Sequence, residues 1–348
     1  MIQLNPLTIK QWRRFRSIKR GYWSALTLVV FILLSMVSEV LINDRALVVS
    51  YQGDLYFPTY ASFHPGTDFG LDYAYETNYR DLQQRFRENG SSDWLIMPVV
   101  PYDAFENDLL PGTYPPSPPS LARKHYLGTD STGRDVLARL VYGFRLAMAF
   151  AVILLLCNYV VGVAVGCAMG YRGGAFDLLF QRVIEIWNNV PFLYVIMIVA
   201  SIVVPSFWTL LVVMVIFGWT GMTWYMRTST YKEKAREYVL AARALGASNS
   251  RIIFSHILPN SISVIVTFIP FSIAGGITAL TALDYLGFGL PPPTPSWGEL
   301  LSQGTTHLKS PWIVSSVVTA MAAVLLMVTY VGEAIREAFD PKKFTYYE

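Results

Sequence analysis

The sequence predicts an all-α polytopic membrane protein of about six transmembrane helices, with a long extramembrane insertion between the first two. Three observations carry that prediction. Only 15% of the 348 residues are charged and 53% are hydrophobic, against roughly 25% charged in soluble domains, and the mean hydropathy is +0.39. Six apolar stretches, at about 22–42, 140–169, 177–204, 207–226, 261–283 and 313–334, approach or exceed the roughly 20 residues that cross a bilayer as a helix, which satisfies its own backbone there. Basic residues gather in the first twenty positions and again in 227–260, as expected of segments on the cytoplasmic side. These features exclude a cytosolic enzyme and a disordered chain. A net charge of +3 argues against a nucleic-acid partner, and two cysteines cannot make a disulfide scaffold.

Residues 1–21 hold Lys10, Arg13, Arg14, Arg16, Lys19 and Arg20 and no acidic residue, so this start should stay in the cytoplasm. Cleavage as a signal peptide is not expected. The apolar run that follows is about 21 residues, longer than an h-region of about 7–15, and no A-x-A site follows it. With the first helix at 22–42, segment 43–139 lies outside, and its thirteen acidic against eight basic residues do not oppose translocation. Within it, 43–126 is polar yet aromatic, with Tyr51, Tyr56, Phe57, Tyr60, Phe63, Tyr73, Tyr75, Tyr79 and Trp94. That suffices for a small packed lobe, marginal unless it leans on the membrane domain. Pro111, Pro115, Pro116, Pro118 and Pro119 then make a stiff, extended spacer. The lobe reads equally as a structural insertion or as a docking surface for a solute-delivering partner.

A five-helix core follows at 127–334. In its first helix, Gly162, Gly166 and Gly170 fall four apart on one face, where they let another backbone approach closely, within the chain or from another subunit. The next stretch, 177–204, is interrupted at Trp187-Asn-Asn-Val-Pro191; Pro191 predicts either a kinked span or a short interfacial helix followed by a span. The loop at 227–260 carries six basic residues against two acidic ones, placing it inside, as the helix count requires. The 335–348 tail is then cytoplasmic too.

Several motifs are near-misses. Gly128-Thr129-Asp130-Ser131-Thr132-Gly133-Arg134-Asp135 has P-loop glycine spacing, but Arg134 replaces the phosphate-reaching lysine and Asp135 replaces the metal-binding hydroxyl. It also lies outside, where ATP is scarce. ATP must therefore be hydrolysed by another subunit if it drives this chain. His64, His125, His256 and His307 show no metal-ligand spacing. Cys157 and Cys167 sit about 15 Å apart along one helix. Asn89-Gly90-Ser91 matches a glycosylation sequon by chance-prone length. Glu185 and Asp284 fall near span ends, where interfacial solvation is expected; buried, they would instead suit a proton-coupled secondary transporter. A membrane hydrolase would need a nucleophile–base cluster or metal site that the sequence does not offer.

The inner loop carries the most information. Tyr238, Ala241, Ala242 and Leu245 recur at helical spacing after Glu237, with Arg236 and Arg243 elsewhere. Gly246 can stop that helix in the left-handed conformation, and Ser248 or Asn249 can cap a new one that runs to Leu258-Pro259-Asn260. A short helix between two spans results. Its small residues would fit a groove on another protein.

The run Ala241-Ala242-Arg243-Ala244-Leu245-Gly246, with Leu258-Pro259 twelve residues on, resembles the EAA loop of ABC importer permeases, with Leu240 where the glutamate usually stands. Leu127-Gly128-Thr129-Asp130 with Gly133-Arg134-Asp135, Leu286-Gly287-Phe288-Gly289-Leu290 with Pro295-Ser296-Trp297-Gly298-Glu299-Leu300, and Gly332 to Arg336 with Asp340-Pro341 are similar to its dipeptide and oligopeptide branch. The outer insertion and Trp12-Arg13-Arg14-Phe15-Arg16 bring it nearer the YejE-type permeases of peptide and microcin C importers.

The resemblance implies a type I importer permease of the bacterial inner membrane, both termini cytoplasmic, with no cofactor or catalytic site of its own. Its partners would be a second permease, cytoplasmic ATPase subunits that bind ATP and Mg, and a periplasmic peptide-binding protein. Residues 237–246 would be the coupling helix, and Gly128, Thr129, Asp130, Gly133, Arg134 and Asp135 would shape the periplasmic mouth.

Overall fold

The computed structural model describes residues 6–61, 63–109, 112 and 114–339. Pro111, Asp340-Pro341 and the tail beyond 339 lie outside the described residues. Four helical stretches are long and apolar enough to cross a bilayer: 136–172, 207–234, 249–285 and 311–339. Counting each of two bent helix pairs as one span makes six.

The first bent pair is α1 (Pro6–Ser17) and α2 (Lys19–Met36), which meet at 96°. The first apolar run was expected as a helix over 22–42, but α2 begins at Lys19 and stops at Met36. A single turn, α3 (Ser38–Leu41), follows. The break falls where Arg145 reaches in from a later helix, donating to the Ser35 carbonyl, the Ser38 hydroxyl and the Glu39 carboxylate at 3.4, 3.3 and 2.6 Å.

The insertion adds a small mixed lobe to a helical protein. Strands β1 (Val48–Tyr51), β2 (Asp54–Tyr56) and β3 (Trp94–Ile96) form an antiparallel sheet in the order β2-β1-β3. Gln52 and Gly53 both take positive φ between Tyr51 and its partner Asp54, the two-residue hairpin whose twist suits adjoining strands. Helix α4 (Tyr79–Glu88) is capped by the Asn78 side chain. Its Tyr79 and Leu82 join Ala46, Val49, Phe69, Leu71 and Leu95 in a core separate from that of the membrane helices. The lobe starts and ends at one point: Asn43 N–H donates to the Val100 carbonyl at 3.1 Å, and Val100 N–H to that of Leu41 at 3.0 Å.

Helix α5 (Val136–Arg172) is the hub of the bundle. Phe150, Ala151 and Leu154 on it pack in one apolar core with Ile277, Leu280, Leu300, Ile313 and Val317. The 177–204 stretch is neither of the two expected forms in full. Helices α6 (Gly174–Asn188) and α7 (Phe192–Ile202) are separated by an open break at 189–191 and bent by 64°. At 15 and 11 residues they reach about 22 and 16 Å, so neither alone crosses a core of about 30 Å. Pro191 ends the helical ladder there because it offers no N–H and disfavours helix at the preceding residue.

Helices α8 (Phe207–Gly218) and α9 (Thr220–Lys234) run as one span. After them come α10 (Glu237–Ala244), α11 (Asn249–Ile252), a π turn over Ile253–Ile257 and α12 (Leu258–Tyr285). Helix α13 (Trp297–Thr306) and the last span, α14 (Pro311–Phe339), close the bundle.

Candidate functional site

Helix α10 forms over the residues whose spacing predicts it. Gly246 holds φ +83°, a conformation that L side chains adopt at a cost of about 1–2 kcal/mol, and it receives the end of the helix. Ser248, rather than Asn249, caps α11, its Oγ accepting from Arg251 N–H. The residue that anchors α10 is Val239, fully buried with Tyr171, Ile252 and Ile257, and the recurring Tyr238, Ala241 and Leu245 are exposed; Ala242 is half-buried. Leu245 is 88% exposed. Alanines carry too little apolar surface to dictate which side of a helix turns inward. The β-branched Val239 does.

Tyr171, at the end of α5, contacts α10 and the helices on either side of it. Its ring lies under the Arg243 guanidinium at 5.5 Å, its hydroxyl donates to Asn249 Oδ1 at 2.9 Å, and its carbonyl accepts from Lys234 Nζ. The glycine stripe sets the distance between the helices that carry these groups. Gly162, Gly166 and Gly170 face α9 of the same chain. A Cβ on Gly166 would meet the Thr223 carbonyl oxygen at 2.6 Å and Met226 Cβ at 2.8 Å. The stripe is therefore an intrachain contact. Below it, Arg227 donates to Asp177 through Nε and Nη2, both at 2.6 Å, pinning the start of α6 to α9. Leu258 and Pro259 open α12, where Pro fits the first turn of a helix.

The opposite end of the bundle holds a buried ion cluster. Asp130 is fully buried. Its Oδ1 accepts from the Thr132 N–H and hydroxyl and from Arg134 N–H at 2.8, 2.8 and 3.0 Å, and its Oδ2 accepts from Arg134 Nε at 2.8 Å. Arg134 Nη2 then donates to Glu299 Oε1 at 2.8 Å, and Arg139 to Glu299 Oε2. Arg139, also fully buried, donates to the carbonyls of Ala104, Pro293 and Thr294. Two arginines and two carboxylates thus tie the Gly128–Asp135 turn to α5, to α13 and to the end of the lobe. Gly128 and Gly133 hold φ +76° and +91°, so the P-loop-like spacing serves a tight turn. Thr129 stitches that turn to the spacer, its N–H donating to the Ser117 carbonyl at 2.9 Å.

Asp135 caps α5 at Ala138 N–H with one oxygen and meets His125 Nδ1 at 2.7 Å with the other. Asp108 faces the other ring nitrogen at 3.1 Å, and Tyr102 stacks on the imidazole at 3.9 Å. Burial opposes the imidazolium, yet the hydrogen bonds and charges of the two carboxylates raise the His125 pKa above its ordinary value. The Asp108 pKa is lowered, first by its bond to His125.

A family model described as the inner membrane component of binding-protein-dependent transport systems matches residues 162–345. The chain is 41% identical over 345 residues to the inner membrane ABC transporter permease protein YejE of Escherichia coli K12, covering 99% of each. It is 38% identical to the peptidoglycan transport system permease protein YejE of Agrobacterium fabrum, covering 97% of this chain and 94% of that one. With the oligopeptide transport system permease protein OppC of Bacillus subtilis it shares 32% identity, over 69% of this chain and 78% of the relative.

This chain belongs to the binding-protein-dependent transport permeases.

Membership gives the Ser296–Leu300 landmark of these permeases a physical reading in this chain. Ser296 caps α13 and donates to Asp284, the Trp297 indole N–H donates to the Leu140 carbonyl at 2.9 Å, and Glu299 binds both arginines. Gly298 lets α13 touch α12: a Cβ there would lie 2.2 Å from the Thr281 carbonyl oxygen. Asp284, expected at a solvated span end, is instead buried and accepts from Ser296 and from Leu290 N–H at 2.7 Å. Its oxygens shape the 284–296 turn. Glu185 is half-exposed and paired with Arg182 one turn away. The burial of Asp284 meets one condition for proton coupling, but both its oxygens are committed to Ser296 and Leu290 within the 284–296 turn, and the permease relatives give the alternative no support. Arg139, Glu299 and His125 escaped the sequence reading as a site because their partners lie 9 to 165 positions away with no motif to join them.

Proposed function

We propose that this permease is one half of the translocation path of an ATP-driven peptide importer and that α10 is the helix through which cytoplasmic ATPase subunits move it. The observation that carries the reading is the exposed face of α10, with Tyr238, Ala241 and Leu245 outward on a helix anchored beneath by Val239 and Tyr171. An apolar, small-residue face on a short helix between spans is a surface made for a groove. A second permease completes the path, the ATPases hold ATP and Mg, and a periplasmic peptide-binding protein delivers the substrate. Both termini are cytoplasmic on this reading.

Peptide is the chemistry shared by relatives named for oligopeptide, dipeptide and peptidoglycan transport, and a microcin C-like peptide falls in the same class. ATP drives the cycle only if the ATPases bind it better in one permease state than the other, because equal affinity shifts nothing. The tight α5–α9 contact would then carry movement of α10 into the bundle. The Gly128–Asp135 turn and its ion cluster hold the outer mouth rigid.

Purified complex tests the proposal. Leu245→Glu should leave the complex intact in the membrane while binding-protein-stimulated ATP turnover and peptide uptake fall together. Full stimulation in that variant would refute the coupling role of α10, and a chain that imports peptide with a proton gradient and no ATPase would refute the importer reading.

A further inference from the structure

We propose that α1 is a binding surface for anionic phospholipid, gripping the headgroup with its basic side and one acyl chain with its aromatic side. Helix α1 leaves the axis of α2 by 96°, so with α2 upright in the bilayer, α1 lies along the membrane surface. Its two sides differ in chemistry. Gln11, Trp12 and Phe15 line a cavity of about 220 Å³ closed on the other side by Val266, Ile335 and Phe339 of α12 and α14. The exposed Lys10 and Arg13 fall at helical spacing on the opposite side.

Charge selects the occupant. Lys10, Arg13, Arg16, Lys19 and Arg20 are all exposed, and the first twenty residues contain no acidic side chain. Arg14 reaches Glu337 at 3.6 Å and so ties α1 to α14 beside the cavity. Trp12, 57% exposed and stacked on Phe15 at 5.8 Å, stands at the cavity rim, the position amphipathic aromatic rings take at a membrane interface. On α2, the helix that follows α1, Trp23, Leu26, Val29 and Val30 are exposed as well. A basic amphipathic helix with an apolar slot against two membrane spans fits a lipid with a negative headgroup.

The test uses the full chain, purified with its partners and placed in nanodiscs of equal parts phosphatidylglycerol and phosphatidylcholine with matched acyl chains. Lipid retained after mild detergent extraction is quantified by mass spectrometry. Each Lys or Arg near an anionic surface contributes about 1 kcal/mol, or about fivefold, so retained phosphatidylglycerol should exceed phosphatidylcholine several-fold. Lys10→Gln/Arg13→Gln/Arg16→Gln, which leaves Arg14, Lys19 and Arg20 to keep the orientation, should lower the ratio several-fold toward one, while Arg13→Lys alone should preserve it. Brominated phosphatidylglycerol should quench a fluorescence component that Trp12→Phe removes, and brominated phosphatidylcholine should not. A ratio near one for the unmodified chain, a ratio unchanged by the triple substitution, or cross-links from Arg13→Cys to an ATPase subunit in place of lipid would each overturn the proposal.

Discussion

Replacing Glu299 by Gln should be among the most damaging single changes in this protein, although it alters one atom. Glu299 is the carboxylate that both Arg134 and Arg139 use, and those side chains are 5% and 0% exposed. With Asp130 the cluster is neutral, two cations against two anions. Glu299→Gln leaves one buried positive charge uncompensated, and breaking a buried pair in this way costs about 3–5 kcal/mol. At about 1.4 kcal/mol per factor of ten, that lowers the folded-to-unfolded ratio by roughly two to three and a half powers of ten.

Removing both sides tests the cause. Arg139→Met with Glu299→Leu restores neutrality and leaves Asp130 with Arg134, so the double variant should be milder than Glu299→Gln. It will not reach the unmodified protein, because the carbonyls of Ala104, Pro293 and Thr294 lose their donor. Glu185→Gln is the reference: its ion pair with Arg182 is 48% and 77% exposed and should contribute no more than about 1 kcal/mol. Reversible unfolding in mixed micelles of dodecyl sulfate and maltoside measures all three. Equal losses for Glu299→Gln and Glu185→Gln, or a double variant worse than the single one, would refute the charge-balance argument.

Gly166→Ala should weaken the α5–α9 contact by about 1–3 kcal/mol, the usual cost of overpacking, and Gly221→Ala, with open space at its Cβ, should be near neutral in the same unfolding assay. The clamp around His125 should depend on pH in a stated direction: with its folded pKa raised, its stabilisation is full below about 6.5 and is lost as pH rises through the folded value. The lowered Asp108 pKa acts in the opposite sense on acidification, and proteolysis near residues 102–126 across pH reads both; His125→Asn should flatten the alkaline limb. Replacing 45–98 with a short Gly-Ser link should leave the membrane bundle folded, since Asn43 and Val100 are already hydrogen-bonded neighbours, and size-exclusion of the purified variant checks it. Loss of binding-protein-stimulated ATP turnover in that folded variant would mark the lobe as a docking surface.

What could be read from the sequence follows the range of each force. Lipid demands an apolar run of a given length whatever its neighbours, so the long helices announce themselves locally. Gly246 and Ser248 act within four residues of themselves and were legible for the same reason. The 177–204 stretch was harder, because its apolar character continues across a backbone break that only Pro191 betrays. Val239 was overlooked because a helix eight residues long has several faces of similar polarity, and the side that packs is chosen by Tyr171, 68 positions earlier. The strands of the lobe are three or four residues long, too short to show alternation above their aromatic background.

The two ends of the bundle are stiffened in different ways, and the difference bears on how α10 can work. At the end that holds the ion cluster, charge-assisted bonds join the turn, α5, α13 and the close of the lobe; such bonds hold direction as well as distance, so these elements should move as one body. At the other end α10 rests on one buried valine and a cation–π contact to Tyr171, contacts that tolerate rotation. The glycine stripe between α5 and α9 is rigid against separation, since backbone already meets backbone, but it contains no ion pair to oppose sliding. A push on α10 would therefore tilt α5 and α9 together about the fixed ion cluster. If α10 couples as proposed, the ion cluster is the fulcrum of that tilt, so Glu299→Gln should impair coupling even in molecules that remain folded, and Arg139→Met with Glu299→Leu should not restore it.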